Sequence, residues 1–358
     1  MTTATPPRVV VADDSALMRR IVSNLLTRGG VEVVGAAKDG DEALAMCERE
    51  RPDAMTLDLA MPGLGGIDVL KALRKKGGPT IPVVVVSAFS PAHGARAVDA
   101  LAEGAFELVS KPSGNGDVEA FEQNLLAKIR QAVAARPRIR PSLTGAVTAP
   151  RVRPAGAGAP ATPRRVAARA RTSQVLVIAT STGGPRALAA VMPGLPAPLG
   201  VGTMIVQHMP PGFTASLAAR LDRSSPLTVR EACGGERLEP GLALLAPGGR
   251  HLRIGSDGQT LLSDEAPIGG LRPRADLLIE DAARQFGDRL LLVVLTGMGN
   301  DGLRGAHEVR KRGGRILAEA EQSCTVYGMP RAIVEASLAD EVLPLDQMAE
   351  AIATEMKR

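Results

Sequence analysis

The sequence predicts an α/β protein with two parallel sheets, one in each half of the chain. Short runs of Val, Ile and Leu alternate with stretches that have the apolar spacing of helices. Each run ends in a turn with Gly, Pro or a polar residue, which is typical of buried parallel strands. The alternation of strands and helices indicates sheets covered by helices on both faces. With 358 residues, the chain is long enough for two such domains.

The composition excludes several classes of protein. Hydrophobic residues make up 45% and charged residues 23%, as in a globular protein. Aromatic residues make up only 2%, too few to stack the bases of single-stranded nucleic acid. The chain has no apolar run as long as a membrane span, and residues 1–8 lack the pattern of a signal peptide. Three widely spaced cysteines suit a reducing compartment. We therefore expect a cytoplasmic protein with no membrane insertion and no nucleic-acid partner.

Residues 131–172 are predicted to be a linker. They contain nine Arg and six Pro but no Lys, Asp or Glu, a composition that disfavours a packed core. These arginines exceed the net charge of +5, so the rest of the chain is mildly acidic. A solvated tether is the favoured interpretation, and contact with an acidic partner or a membrane surface is the alternative. The predicted domains accordingly cover residues 8–130 and 173–356.

The first domain is predicted to contain five βα units, as in a flavodoxin-like sheet. Strands are expected at residues 8–12, 31–35, 54–58, 81–86 and 106–110. Helices are expected at residues 15–26, 40–50, 67–75, 95–103 and 118–132. Because the carboxyl ends of parallel strands meet at one edge of a sheet, polar residues there are candidates for chemistry.

Polar residues stand at the ends of four of these strands. They are Asp13, Asp14, Asp58, Ser87 and Lys111. Three carboxylates at one edge repel each other unless a cation lies among them, and oxygen ligands favour Mg²⁺. Asp58 can then attack a phosphoryl donor, while Ser87 and Lys111 bind the transferred oxygens. A helix-capping role for Asp13 or Asp14 is the alternative.

Residues 8–130 resemble a response-regulator receiver domain. The motifs that carry the resemblance are Val11-Ala-Asp-Asp-Ser15, Leu57-Asp-Leu-Ala-Met-Pro62, Val86-Ser-Ala88 and Ser110-Lys-Pro112. The resemblance implies that Asp58 is the phosphoacceptor, that Asp13 and Asp14 help to hold Mg²⁺, and that the 111–112 peptide is cis. It also implies a sensor histidine kinase as phosphodonor. The chain departs from the family at Leu108, where an aromatic residue is common, and at Gly65-Gly66, where Asp-Gly is usual.

Three apolar runs in the second half each precede a residue that serine hydrolases use. Ser181 follows the run 175–180, His208 follows the run 201–207, and Asp301 lies shortly after the run 290–295. If the runs are parallel strands, their carboxyl ends bring a nucleophile, a base and an orienting carboxylate together. Neutral His208 would take the proton of Ser181, and Asp301 would orient the imidazole ring. The sequence therefore predicts a serine hydrolase.

Taken alone, each of these residues has another interpretation. Ser181 and Asp301 precede predicted helices and are candidate N-caps. The glycine-rich turn after Ser181 could bind a phosphate, but it lacks the spacing and the lysine of a P-loop. His251 is the rival base, with a surface-loop role as its alternative. The turns that carry the triad also offer the N–H groups of Thr182 and Met298 to an oxyanion.

The second half is similar over nearly its whole length to the catalytic domain of chemotaxis protein-glutamate methylesterases. The shared motifs are Ser181-Thr-Gly-Gly-Pro185, Gln207-His-Met-Pro210, Ala246-Pro-Gly-Gly-Arg-His-Leu252, Arg272-Pro-Arg-Ala-Asp276, Leu295-Thr-Gly-Met-Gly-Asn-Asp-Gly302 and Tyr327-Gly-Met-Pro330. The resemblance implies a doubly wound, mostly parallel Rossmann-like sheet with Ser181, His208 and Asp301 as the catalytic triad and no cofactor for the esterase step. A small departure is Ala179-Thr180, where Gly is more common at the first position.

The two resemblances together imply a phosphorylation-activated esterase. It would remove methyl esters from glutamates of chemoreceptor cytoplasmic domains, releasing methanol, and would deamidate particular receptor glutamines. The unmodified receiver is expected to pack over the catalytic edge and to block large substrates. One alternative is a regulator that binds DNA, but the second half lacks a helix-turn-helix and is expected to be βα throughout. A catalytically silent adaptor for receptors or kinase is the other alternative.

Overall fold

The computed structural model describes residues 5–75, 81–88, 91–112, 118–135 and 174–357. Most of the predicted linker, residues 136–172, lies outside these described residues. Among the described helices, none is both long and apolar enough to cross a membrane.

The N-terminal half forms a five-stranded parallel sheet of the predicted flavodoxin-like kind. Its strands are β1 (Arg8–Ala12), β2 (Glu32–Ala37), β3 (Ala54–Leu57), β4 (Val83–Ser87) and β5 (Glu107–Ser110). Its helices are α1 (Ala16–Arg28), α2 (Gly40–Glu50), α3 (Gly66–Arg74), α4 (Pro91–Ala102) and α5 (Val118–Ala135). The strand order is β2-β1-β3-β4-β5, and every neighbouring pair is parallel. The predicted α/β fold of this half is therefore confirmed.

The C-terminal half contains a larger, seven-stranded parallel sheet and a separate hairpin. Its strands are β6 (Val175–Thr180), β7 (Gly202–Gln207), β8 (Thr228–Glu231), β9 (Leu242–Leu245), β10 (His251–Ile254), β11 (Thr260–Ser263), β12 (Leu290–Val294), β13 (Arg315–Glu319) and β14 (Glu341–Leu343). Its helices are α6 (Gly184–Val191), α7 (Phe213–Ser224), α8 (Ala275–Phe286), α9 (Leu303–Lys311), α10 (Met329–Glu335) and α11 (Leu345–Glu355). The sheet order is β14-β13-β12-β6-β7-β9-β8.

This topology confirms the mostly parallel, doubly wound sheet but corrects one detail. The expectation of βα units throughout is wrong between α7 and α8, because β8 and β9 are joined by a loop and β10 pairs antiparallel with β11. The chain moves from β6 to β7 on one side and later places β12 on the other side of β6. Ligand sites of open α/β sheets form at such switch points, outside the carboxyl ends of the strands.

The central strands β6, β7 and β12 are buried on both faces, which explains their uninterrupted apolar sequences. Leu176 and Ile178 of β6 pack into the core on one face, and Val177 and Ala179 pack into the core on the other. Because the strands are fixed between two layers of helices, the residues that follow them have well-defined positions at the edge of the sheet.

The N-terminal half is docked on the C-terminal half at the same edge. Helix α4 packs against α7 and α6. Asp99 of α4 forms an ion pair with Arg220 of α7. Strand β5, at the edge of its own sheet, carries a direct hydrogen bond to the loop after β6, from Thr182 Oγ1 to Glu107 Oε2 at 2.8 Å.

Candidate active site

Ser181 is the first residue after β6, in the turn that leads into α6. Its N–H donates to the carbonyl oxygen of Thr296 at 3.0 Å, which joins this turn to the one after β12. Its side chain is not the N-cap of α6, because that position is occupied by Gly183. The capping interpretation of Ser181 is therefore not supported, and the residue is only 7% exposed.

His208 follows the neighbouring strand in the same register. Thr180 of β6 lies opposite Gln207 of β7, so Ser181 and His208 are the next residue on each strand. The Nε2 group of Gln207 donates to the carbonyl oxygens of Ser181, at 3.0 Å, and of His208, at 2.9 Å. Gln207 thus ties the two turns together, and Gly184 leaves space for its side chain, since a Cβ there would collide with the Gln207 amide.

Asp301 completes the cluster through its contact with His208. The Nε2 atom of His208 lies 2.7 Å from Asp301 Oδ2. An ionised carboxylate can only accept, so Nε2 carries the hydrogen and the ring's Nδ1 is unprotonated when the ring is neutral. Nδ1 is buried and has no hydrogen-bond partner among the described residues. It is therefore the ring atom that can accept a proton, although the hydroxyl of Ser181 does not hydrogen-bond to it in this structure.

Asp301 is held by donors from every side. Besides His208, four groups donate to its two oxygens at 2.7 to 2.9 Å: the N–H groups of Ala275, Asp276 and Gly302 and the Nε of Arg274. Burial alone would raise the pKa of Asp301, but the hydrogen bond and charge of His208 and the helix N–H groups lower it to about 2. Asp301 is therefore ionised at neutral pH.

Asp301 and Asp276 cap each other's helices. Asp301 does not serve as the N-cap of α9, which is Gly302, but its oxygens accept the first N–H groups of α8. Asp276, in the first turn of α8, accepts the N–H groups of Gly302 and Gly305 at the start of α9, at 2.9 and 3.0 Å. This reciprocal cap fixes the ends of both helices and, with them, the carboxylate that faces His208.

The turn after β12 lies directly against Ser181. A Cβ at Gly297 would be 2.8 Å from Ser181 Cβ, so only glycine allows this approach. The buried carboxylate of Glu319 accepts the N–H of Thr296 at 2.8 Å and holds the turn from below. Burial raises the pKa of Glu319 even though these hydrogen bonds oppose the change. In the described part of the chain, neither the N–H of Thr182 nor that of Met298 donates to a protein acceptor.

A second cluster of polar residues lies at the carboxyl edge of the N-terminal sheet. Carboxylate oxygens of Asp13, Asp14 and Asp58 lie within 4.8 Å of one another. Lys111 Nζ lies 2.7 Å from Asp13 and 2.8 Å from Asp58. Burial would lower the pKa of Lys111, but these two carboxylates raise it. Burial raises the pKa of Asp13 despite the opposing effect of Lys111.

The other polar residues at this edge behave as follows. Ser87 is buried beside the cluster, where its hydroxyl donates to the carbonyl of Ala88 at 3.4 Å, and its own carbonyl accepts the N–H of Lys111. The N-cap of α1 is Ser15, not Asp13 or Asp14. The expectation of a cis 111–112 peptide is wrong, since the cis bonds in the described residues precede Pro198 and Pro273.

Several supporting residues were not predicted from the sequence. Arg274 and Asp276 belong to a motif noted above, but the motif alone gave no role for them. Gln207 precedes His208, yet its two hydrogen bonds depend on the neighbouring strand. His251, the rival base, contacts the backbone of Arg274 and is fully buried in β10, so its surface-loop alternative is wrong.

Known proteins resemble the chain over nearly its whole length. The family model for the CheB methylesterase matches residues 176–352, and that for the response regulator receiver domain matches residues 9–121. The protein-glutamate methylesterase/protein-glutamine glutaminase of Symbiobacterium thermophilum is 41% identical over 350 residues, which cover 97% of this chain and 96% of the relative. The protein of the same description from Thermotoga maritima is 39% identical over 353 residues, covering 96% of each chain.

A solved structure resembles the C-terminal half. The crystal structure of the Thermotoga maritima CheB methylesterase catalytic domain aligns with a TM-score of 0.50 and 41% identity, and the alignment covers 51% of this chain and 98% of that one. The sequence relatives and the two family models cover both halves of the chain, and this structure covers the C-terminal half. The chain belongs to the CheB methylesterase family, in which a response-regulator receiver domain precedes the methylesterase domain.

Proposed function

We propose that this protein hydrolyses methyl esters of glutamate side chains on the cytoplasmic domains of chemoreceptors, releasing methanol, and deamidates particular receptor glutamines to glutamate. Its sequence relatives carry both activities in their description. The observation that carries the proposal is the 2.7 Å contact of His208 Nε2 with Asp301, which leaves buried Nδ1 as the proton acceptor at the strand end next to Ser181.

In the first half of the proposed reaction, Ser181 Oγ attacks the carbonyl carbon of the side-chain ester and His208 Nδ1 takes its proton. Asp301 stabilises the imidazolium through Nε2–H. The N–H groups of Thr182 and Met298 stabilise the negative charge on the carbonyl oxygen, at about 3 kcal/mol each. The bond to the methoxy group then breaks, and Nδ1 returns the proton to the leaving methanol. For a glutamine substrate, ammonia leaves in the same step.

In the second half, water attacks the acyl carbon of the ester formed on Ser181. His208 Nδ1 takes a proton from the water and gives it to Ser181 Oγ as the acyl bond breaks. The products are a glutamate side chain and the regenerated hydroxyl of Ser181. An ester and an amide share the tetrahedral step, which is why one site serves both reactions.

We further propose that the docked receiver domain keeps this site closed. Thr182, next to the nucleophile, donates to Glu107 of β5 at 2.8 Å, and Lys128 of α5 holds the same carboxylate at 2.9 Å. Thr182 is 1% exposed with the two halves in contact. Strand β5 carries Glu107 at its first position and leads directly to Lys111, which contacts Asp58. Phosphorylation of Asp58 would change the partner of Lys111 and loosen the contact.

The phosphoacceptor role of Asp58 requires a phosphodonor, proposed to be a sensor histidine kinase in the cytoplasm. The three clustered carboxylates are hard oxygen donors of the kind that Mg²⁺ prefers, so Asp13, Asp14 and Asp58 would hold this ion. When bound, Mg²⁺ neutralises charge on the transferring phosphoryl group. Lys111 and Ser87 are the proposed contacts of the transferred oxygens.

Methanol release from methylated receptor membranes tests the proposal. Native protein, Ser181→Ala and Asp58→Asn are each assayed with and without a small-molecule phosphodonor and Mg²⁺. We expect the phosphodonor to stimulate the native protein, Ser181→Ala to release no methanol, and Asp58→Asn to keep basal activity without stimulation. Absence of methanol from the native protein under all conditions would refute the esterase and favour the adaptor, which a serine-directed covalent probe would then test.

A further inference from the structure

His251 lies outside the catalytic cluster but contacts the segment that holds it. It is the first residue of β10 and its exposure is 0%. Its Nδ1 lies 3.1 Å from the backbone nitrogen of Arg274, and its Nε2 lies 3.4 Å from the carbonyl oxygen of Ala266. A backbone N–H can only donate, so Nδ1 is the acceptor and Nε2 carries the hydrogen. The two contacts fix a neutral ring in one tautomer.

Arg274 begins the segment that supplies three of the contacts to Asp301. It is the N-cap of α8, and the next two N–H groups of the chain, those of Ala275 and Asp276, both donate to Asp301. The guanidinium of Arg274 adds a third contact, from Nε to Asp301 Oδ1 at 2.8 Å. A shift of the backbone at Arg274 would therefore move three of the groups that orient Asp301.

The β10–β11 hairpin, which carries His251, contacts α8 at a second point. Arg253, two residues further along β10, donates to Asp281 in α8 at 2.5 Å. That contact fixes the body of the helix, and His251 adds a contact to Arg274, the residue before its first turn. The N–H of Arg274 would lose its partner if an apolar side chain replaced His251, and a buried donor without a partner costs about 1–3 kcal/mol.

We propose that His251 is a positioning residue for the ester hydrolysis: its Nδ1 anchors the start of α8, and the anchored N–H groups hold Asp301 in line with His208. The inference rests on the proposed function, because it assigns His251 a part in that reaction. The hydrogen bonds of His251 are to the backbone of Ala266 and Arg274 and not to the ring of His208, so its effect is transmitted through the backbone of residues 274–276.

Two substitutions of similar polarity distinguish a positioning role of His251 from a role in packing alone. In His251→Asn the side-chain oxygen takes the place of Nδ1, whereas in His251→Gln the amide takes the place of Nε2 and leaves the N–H of Arg274 without an acceptor. We expect kcat for methanol release to fall on the order of 10²-fold in the Gln variant, with little change in KM, because the triad is displaced. In the Asn variant, kcat for methanol release should fall less than about tenfold. Thermal unfolding of both variants controls for a general loss of structure.

A second measurement does not depend on activity. The buried proton between His208 Nε2 and Asp301 should give a far-downfield resonance in the ¹H NMR spectrum, and His208→Gln identifies it. We expect the resonance to persist in His251→Asn and to be lost or shifted in His251→Gln. An unaltered resonance in the Gln variant, or equal losses of kcat in both variants, would overturn the positioning role. If the native protein releases no methanol, the proposed function is refuted, and the resonance alone still decides whether His251 positions Asp301.

Discussion

Replacing Asp301 with asparagine should abolish most of the activity and make stability less dependent on pH. The change keeps the shape of the side chain but turns one oxygen into an NH₂ group. Both oxygens of Asp301 face donors: one accepts from His208 and Ala275, the other from Asp276, Gly302 and Arg274. In either orientation, the NH₂ group would point at hydrogen-bond donors. We expect kcat to fall on the order of 10⁴-fold, as when the orienting carboxylate of a serine-hydrolase triad becomes an amide.

The stability change can be worked from the pKa of Asp301. A folded-state pKa of about 2, against about 3.9 in the unfolded chain, corresponds to about 2–3 kcal/mol of stability. Because the folded value is the lower one, this contribution is complete above the unfolded pKa and is lost as the pH falls towards the folded pKa. Native protein should therefore be more stable than Asp301→Asn at pH 6, and the difference should narrow by about 2 kcal/mol as the pH approaches 2.

Urea unfolding between pH 6 and pH 2.5, together with methanol release at neutral pH, checks both parts. Ser181→Ala is the matched control, because it should lose activity and keep the native dependence of stability on pH. A difference between native protein and Asp301→Asn that stays constant with pH would show that the charge of Asp301 is not stabilised by its surroundings. A variant with near-native kcat would refute its role in orienting His208.

Two further predictions concern the contact between the domains and the packing around Gly184, close to Ser181. In Glu107→Gln, the carboxylate that accepts from Thr182 and Lys128 loses its charge, which weakens the contact between the domains. Methanol release without phosphodonor should therefore rise about fivefold, equivalent to about 1 kcal/mol. Unchanged or lower basal methanol release would contradict the blocking contact. In Gly184→Ala, the new methyl group would collide with the side chain of Gln207. The free energy of unfolding should therefore fall by about 1–3 kcal/mol, and kcat should fall as well. A native-like melting temperature and kcat would contradict the close packing.

The central strands and the residues that follow them could be predicted because their signal is local. The run from Val175 to Thr180 became β6 with the same bounds, and the predicted positions of Ser181 and His208 follow from parallel register. The five βα units of the receiver half were confirmed with small shifts of their ends, the largest at α4, which begins at Pro91. Buried strands covered on both faces are apolar throughout, so sequence alone locates them well.

The residues that hold Asp301 in place could not be predicted, because their roles depend on contacts between segments that are distant in the sequence. Asp301 and Asp276 are 25 residues apart, and their exchange of helix caps has no signature in the spacing of either motif. The hairpin β10–β11 was missed because each strand has only four residues and a mixed polar and apolar sequence. The proposed role of His251 depends on that hairpin, so the sequence alone does not indicate it.

The exchange of caps between Asp301 and Asp276 also bears on how this protein can be disabled. Substitution of Asp301 removes both the carboxylate that contacts His208 and the acceptor for the first N–H groups of α8. A variant inactivated at this position would therefore also be less stable. Ser181 has no comparable structural duty for its hydroxyl among the described residues, since only its backbone is used by the neighbouring turns. A folded, inactive variant for isolating the proposed receptor substrates is therefore best made at Ser181. Because Asp301 both contacts His208 and caps α8, a substitution there changes activity and stability at once.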